Sequence, residues 1–247
     1  MKLLDTRFHR SGYPKTVNYT ENDMPDRWPA TWTRRGAYDT DFYIEQTHRQ
    51  FTYTLNSQGY REQEWIDIDW NNSYIFLGCS HIYGVGVAID ETIPKLMQDR
   101  LSTCCVNLGI PGGNNYFSMV NSAKLINAGI TPKGVFYQHT YPARWFTFKD
   151  DTLNTVNAND KGYEHYFKDA QYVDFLDSSI TETLYSQWKD ICPVIEFNID
   201  NIIPDSNNNK YIARCGSHYN HVYHEKVVET LYNKYNKYNK YNQQVEE

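Results

Sequence analysis

The chain has 247 residues, 40% of them hydrophobic and 22% charged, enough apolar material for a sizeable core in one α/β domain with insertions. A formal net charge of −6 excludes a protein that coats nucleic acid, because phosphate binding wants a basic face. No stretch approaches the roughly 20 apolar residues of a membrane span, and the start Met1-Lys-Leu-Leu-Asp5-Thr-Arg7 is broken by charge before a signal-peptide core can develop, so a cytoplasmic location with no membrane partner is expected.

Residues 1–50 are rich in Pro, Trp, Arg and Tyr without a sustained period and read as an irregular arm laid over the domain. Phe51 to Leu55 alternates as an edge strand does, and Asn56-Ser-Gln-Gly59 signals a turn. Tyr74-Ile-Phe-Leu-Gly78 is an apolar run stopped by glycine, the pattern of a buried strand, and Cys79-Ser80-His81 follows at its C-terminal end. Open α/β sheets place their ligands at such ends. Ile93 to Leu101 has helical spacing with Pro94 in the first turn. Val106-Asn-Leu-Gly109 repeats the strand pattern and runs into the loop Ile110-Pro-Gly-Gly-Asn114-Asn115, after which Tyr116 to Ala128 is spaced as a helix facing a sheet. Val135-Phe-Tyr137 is a further strand. The alternation of strand and helix implies a parallel sheet with right-handed crossovers, hence a three-layer α/β/α sandwich of flavodoxin-like kind.

From Pro142 to Ser178 the chain turns polar and aromatic and reads as a long surface excursion with a short helix. A helix is expected from Thr181 to Ile191, a last strand at Val194 to Phe197, and a helix from His224 to Tyr232 that closes the domain spanning 51–231. Residues 232–247 hold a Tyr-Asn-Lys repeat of low complexity, read as a polar extension or frayed helix end. Cys79, Cys104, Cys105, Cys192 and Cys215 form an odd set without framework spacing and are expected to be free buried thiols.

Three segments carry the chemistry in chain order: Gly78-Cys79-Ser80, the block Val106 to Asn115, and Ala213-Arg-Cys215-Gly-Ser-His218. Together they resemble the SGNH (GDSL-like) hydrolases. The strand-and-turn lead-in and the Thr140 to Arg144 pattern resemble a bacteriophage-associated branch, which implies host cytosol or virion as the location. The resemblance makes Ser80 the nucleophile, His218 the general base, and the backbone amides of Ser80 and Gly109 two oxyanion donors. It implies no cofactor and a small substrate, a short acyl ester or an O-acetylated glycan. The family's third donor, an Asn after the next strand, is missing, which leaves Asn114, Thr140 and Gln138 as candidates. Cys215 stands where the family has the triad Asp three residues before the histidine, and loss of that carboxylate costs around 10⁴ in kcat in a well-studied triad. The competing class is therefore a catalytically silent binding or structural module. Cys79 replaces the Asp of the G-D-S motif, outside the triad. His81 is expected in the pocket wall and Arg144 near it.

Two other readings are set aside. An α/β-hydrolase elbow needs Gly where Ile82 stands. Cys215, His218, His221 and His224 recur every third residue, but on one helix such ligands line up along the axis rather than converge on a tetrahedral ion, so no metal is expected.

Overall fold

The structure, a computed structural model, describes residue 3 and residues 15–20, 23–141, 144–149, 152–157, 161–162, 168–202 and 208–246. Four strands, β3 (Tyr74–Gly78), β4 (Cys105–Gly109), β5 (Gly134–Gln138) and β8 (Val194–Phe197), form a parallel sheet in the order β4-β3-β5-β8. This is the 2-1-3-4 part of the 2-1-3-4-5 flavodoxin order, with no fifth parallel strand among the described residues. Residues of β3, β4 and β5 are buried throughout, as a sheet covered on both faces requires.

The pleat divides those side chains between two cores. On one face Phe76 stacks on Phe136 with ring centroids 4.6 Å apart. They meet Met97 of α4 (Ile93–Leu101) and Tyr223, Val227, Val228 and Leu231 of α7 (His221–Glu246). On the other face Ile75, Leu77, Val106 and Val135 meet Phe117 and Leu125 of α5 (Asn115–Asn127) and Leu184 and Trp188 of α6 (Ala170–Trp188). The result is the expected three-layer α/β/α sandwich. Each fully buried aliphatic or aromatic side chain contributes about 1.5–3 kcal/mol relative to exposure.

The arm is more ordered than its sequence suggests. It carries β1 (Lys15–Val17), which pairs antiparallel with β2 (Tyr53–Leu55), and two seven-residue helices, α1 (Trp28–Arg34) and α2 (Asp41–Thr47). These helices are too short to show a period, and α1 is held by its aromatic side chains: Trp28 and Trp32 are buried in the first core.

Three further expectations are corrected. The excursion after Pro142 contains a hairpin, β6 (Arg144–Lys149) with β7 (Thr152–Asn157). The helix expected from Thr181 begins a full three turns earlier, at Ala170, capped by the Asp169 side chain accepting from the Tyr172 amide. The final helix runs from His221 to Glu246, so the Tyr-Asn-Lys repeat is its continuation. Tyr232 and Tyr235 pack on the first core, and the Tyr235 and Tyr74 hydroxyls meet. All five cysteines are free; Cys104 is half-buried rather than buried.

Candidate active site

Ser80 opens α3 (Ser80–Tyr83), a single turn directly beyond β3. The turn is fixed from three sides. The Cys79 amide donates to Gln138 Oε1 at 3.1 Å. Asn107 Nδ2 donates to the Ile82 carbonyl at 2.9 Å. Gly84, in the left-handed conformation, ends the turn by returning its N–H to the Ser80 carbonyl at 3.0 Å. The Ser80 side chain is thereby presented at the C-terminal end of the central strand.

His218 arrives on a tight hairpin. An antiparallel bridge joins Ile212 to Tyr219, and the Ala213 amide donates to the His218 carbonyl at 2.8 Å. The turn at its tip needs Gly216, whose φ is +72°. This geometry brings His218 Nε2 to 2.9 Å from Ser80 Oγ. The two residues lie 138 positions apart in sequence, and the contact brings together the side chains expected from sequence to act as nucleophile and base.

Behind the imidazole stands a thiol. Cys215 Sγ lies 3.2 Å from His218 Nδ1, and Ser217 Oγ lies 3.3 Å from the same nitrogen. Burial, then the charge of Asp23, pushes the Cys215 thiol up to about 11, so it is neutral at physiological pH. Burial, then the cations Arg144, His224 and Arg35, pushes His218 down to about 3. The imidazole is accordingly neutral at pH 7, with its Nε2 lone pair facing the serine when the proton sits on Nδ1. Ser217 was not among the sequence candidates; its place next to His218 on the hairpin tip is the signal that could have found it.

Several expected oxyanion donors are already engaged. The Gly109 amide donates to Asn107 Oδ1 at 3.0 Å. Gly109 is small because a Cβ there would lie 2.2 Å from the Tyr83 nitrogen, so its role is to let α3 sit against β4. Asn114 caps α5, accepting from the Phe117 amide at 3.0 Å while its Nδ2 donates to the Trp145 carbonyl at 3.0 Å. Thr140 donates through both N and Oγ1 to Asn115 Oδ1, at 2.9 and 3.0 Å. Gln138 spends its oxygen on the Cys79 amide and its Nε2 on the His139 carbonyl at 3.2 Å. The Ser80 amide, first in its helix, has no intrahelical acceptor. In the Ile110–Gly113 turn, closed by a 2.8 Å bond from the Gly113 amide to the Ile110 carbonyl, the central Gly112 (φ +70°) makes no amide bond among the described residues.

His81 is buried and forms a wall: its ring stacks on Tyr219 and meets His218 edge-on, both at 5.2 Å. Its Nδ1 has no partner among the described residues, and burial, then His218, holds its pKa well below the usual range. Arg144 reaches the loop after β4 through a 3.1 Å bond from Nη1 to the Gly113 carbonyl. His221 and His224 turn to other partners. His224 Nδ1 lies 2.8 Å from the Glu91 carbonyl, and His221 Nδ1 is 3.8 Å from Glu91 Oε1. Among the described residues no group of three His, Cys, Asp or Glu side chains is arranged to hold a metal, and no helix is long and apolar enough to cross a membrane.

No family model matches the chain, and no curated protein matches it. Among solved structures it is similar to a protein from Desulfitobacterium hafniense DCB-2 assigned to the G-D-S-L lipolytic family. The match has 11% identity and a TM-score of 0.34, covering 64% of this chain and 99% of that one.

Proposed function

We propose that the chain is an SGNH-type serine hydrolase that cleaves a small ester, a short acyl ester or an O-acetyl group on a glycan. The observation that carries this reading is the 2.9 Å contact between Ser80 Oγ and His218 Nε2, beyond the C-terminal end of a parallel sheet where such folds place their chemistry. Ser80 Oγ attacks the carbonyl as Nε2 takes its proton, giving a tetrahedral oxyanion and an imidazolium. The oxyanion rests on the Ser80 amide, with the Gly112 amide as second donor in place of Gly109. The imidazolium then protonates the leaving alcohol, and water, deprotonated by the same histidine, releases the acid from the acyl-enzyme.

Nδ1–H is oriented by neutral acceptors, Cys215 Sγ and Ser217 Oγ, so the imidazolium gains no carboxylate and turnover is slow. The motifs shared with the phage-associated branch support a virion or host-cytosol setting. A second reading, a silent module that keeps the pocket, is favoured by the same Cys215 thiol at the triad position. Hydrolysis of p-nitrophenyl acetate and butyrate by the native protein and by Ser80→Ala separates the two. Turnover abolished in Ser80→Ala supports the enzyme, and equal rates in both proteins reject it.

A further inference from the structure

Two arginines of this protein hold carboxylates. The buried Arg214 guanidinium holds Asp23 Oδ2 through Nε and Nη2 at 2.9 and 2.7 Å, and Arg49 pairs with Glu91. Arg144 is different. Its Nη1 is tied to a neutral acceptor, the Gly113 carbonyl, at 3.1 Å, and its guanidinium lies 5.0 Å from the Tyr141 ring centroid. Among the described residues no carboxylate pairs with it, and its Nε and Nη2 donors make no bond.

The acidic group that meets Tyr141 is turned elsewhere. Asp200 accepts from the Tyr219 hydroxyl at 2.7 Å and is hydrogen-bonded to the Tyr141 side chain as well. Tyr219 in turn stacks on His81, which meets His218. Arg144, Tyr141, Asp200, Tyr219 and His81 thus form one continuous run of contacting side chains that ends at the catalytic base.

A lone cation there opposes the proposed chemistry. Its charge is felt at both His218 and His81, where it disfavours the imidazolium that acyl transfer must form. The opposition disappears when the substrate itself brings a negative charge. A guanidinium anchored by one nitrogen, with two adjacent donors unengaged, matches the fork geometry of a carboxylate, sulfate or phosphate.

Resting on the hydrolase reading, we infer that Arg144 is the anion-recognition residue of this site, and that the natural ester bears a carboxylate, sulfate or phosphate on its acyl or its alcohol part. Binding such an ester neutralises Arg144 and removes its share of the lowered His218 basicity, of which burial is the larger cause, so charge recognition and catalysis are coupled.

Two matched pairs of esters test this. 4-Acetoxybenzoate against its methyl ester varies charge on the alcohol side, and 4-nitrophenyl hemisuccinate against 4-nitrophenyl butyrate varies it on the acyl side. The native protein is expected to favour the anionic member of at least one pair by about tenfold or more in kcat/KM, a difference of about 1.4 kcal/mol. In Arg144→Gln that ratio collapses towards unity, and Arg144→Lys restores part of it. Titration of the Ser80→Ala protein with 4-acetoxybenzoate and its methyl ester measures recognition without turnover. Tighter binding of the anion, lost in Ser80→Ala/Arg144→Gln, upholds the inference even where no ester is cleaved, an outcome that sinks the hydrolase reading alone. Equal binding of charged and neutral members, or a charge preference that survives Arg144→Gln, overturns it.

Discussion

Replacing Cys215 with Asp places a carboxylate where a thiol now lies 3.2 Å from His218 Nδ1. At that separation and an effective dielectric of about 20, an imidazolium and a carboxylate attract by about 5 kcal/mol. Two local features subtract from this. The sulfur is buried against Gly86, where a Cβ would stand 3.1 Å away, so the larger carboxylate is crowded and poorly solvated. Asp23, whose charge already raises the thiol pKa, repels a second anion. About 3–4 kcal/mol remains, and at about 1.4 kcal/mol per decade the expected gain in kcat/KM is about 10²–10³-fold. A second signature follows from the sign of the shift. In the native protein His218 titrates near 3, so hydrolysis has no acid limb above pH 4. A carboxylate partner favours the imidazolium and raises that pKa, so the variant acquires a limb at higher pH. The assay is the pH profile of p-nitrophenyl acetate hydrolysis for both proteins, with circular dichroism to confirm folding. A folded Cys215→Asp protein whose rate stays within about twofold of native, with no movement of the acid limb, refutes the view that the missing charge limits this site.

Three further outcomes are expected. His224 is buried and its pKa is pushed down to about 4, chiefly by burial; its folded value lies below its unfolded one, so the stability it allows is full above about pH 6.5 and falls as pH drops towards 4. Glu62 and Asp177, raised by burial, run the other way, so the test is differential: in urea titrations between pH 7 and 5, His224→Gln is expected to lower the slope of stability against pH by about 1 kcal/mol per unit, and an unchanged slope counts against it. Gly109→Ala sets a methyl 2.2 Å from the Tyr83 backbone nitrogen, so a loss of about 3 kcal/mol is expected together with loss of hydrolysis as α3 shifts; a melting temperature and rate equal to native would contradict the packing argument. Asp23→Asn removes the partner of Arg214, itself 1% exposed, and is expected to cost about 3–5 kcal/mol in denaturant unfolding, a result under about 1 kcal/mol being incompatible with a buried pair.

The sandwich was legible because its signal is local: apolar runs stopped by Gly78 and Gly109, and helices long enough to repeat their period. The pairing of Ser80 with His218 was legible through motif order. What sequence order could not reveal was how each polar group would be occupied. Gly109 and Asn114 have the right residue types for oxyanion donors, yet one amide is taken by Asn107 and the other side chain caps α5 and holds Trp145. Such competition is decided by tertiary neighbours. The start of α6 was missed because its first turns put two large aromatics, Tyr172 and Phe175, into solvent, which obscures the half-buried stripe of Val173, Leu176 and Ile180.

The arm illustrates the same limit and explains how a histidine without a carboxylate is held at all. Trp32 Nε1 donates to the Arg214 carbonyl at 3.1 Å, Arg35 Nε donates to the Gly216 carbonyl, and a Cβ on Gly216 would run into Thr31 and Trp32. From the other side Arg214 ties the hairpin to Asp23, to the Arg49 carbonyl at 2.8 Å and to the Asn18 carbonyl at 3.0 Å. A triad carboxylate does two jobs, orienting the imidazole and stabilising its cation. In this chain Cys215 and Ser217 meet His218 Nδ1, and the arm fixes the backbone that carries them on both sides of Cys215, while the second job has no dedicated group among the described residues. The described residues of the arm therefore belong to the candidate site as much as the strand that ends at Gly78.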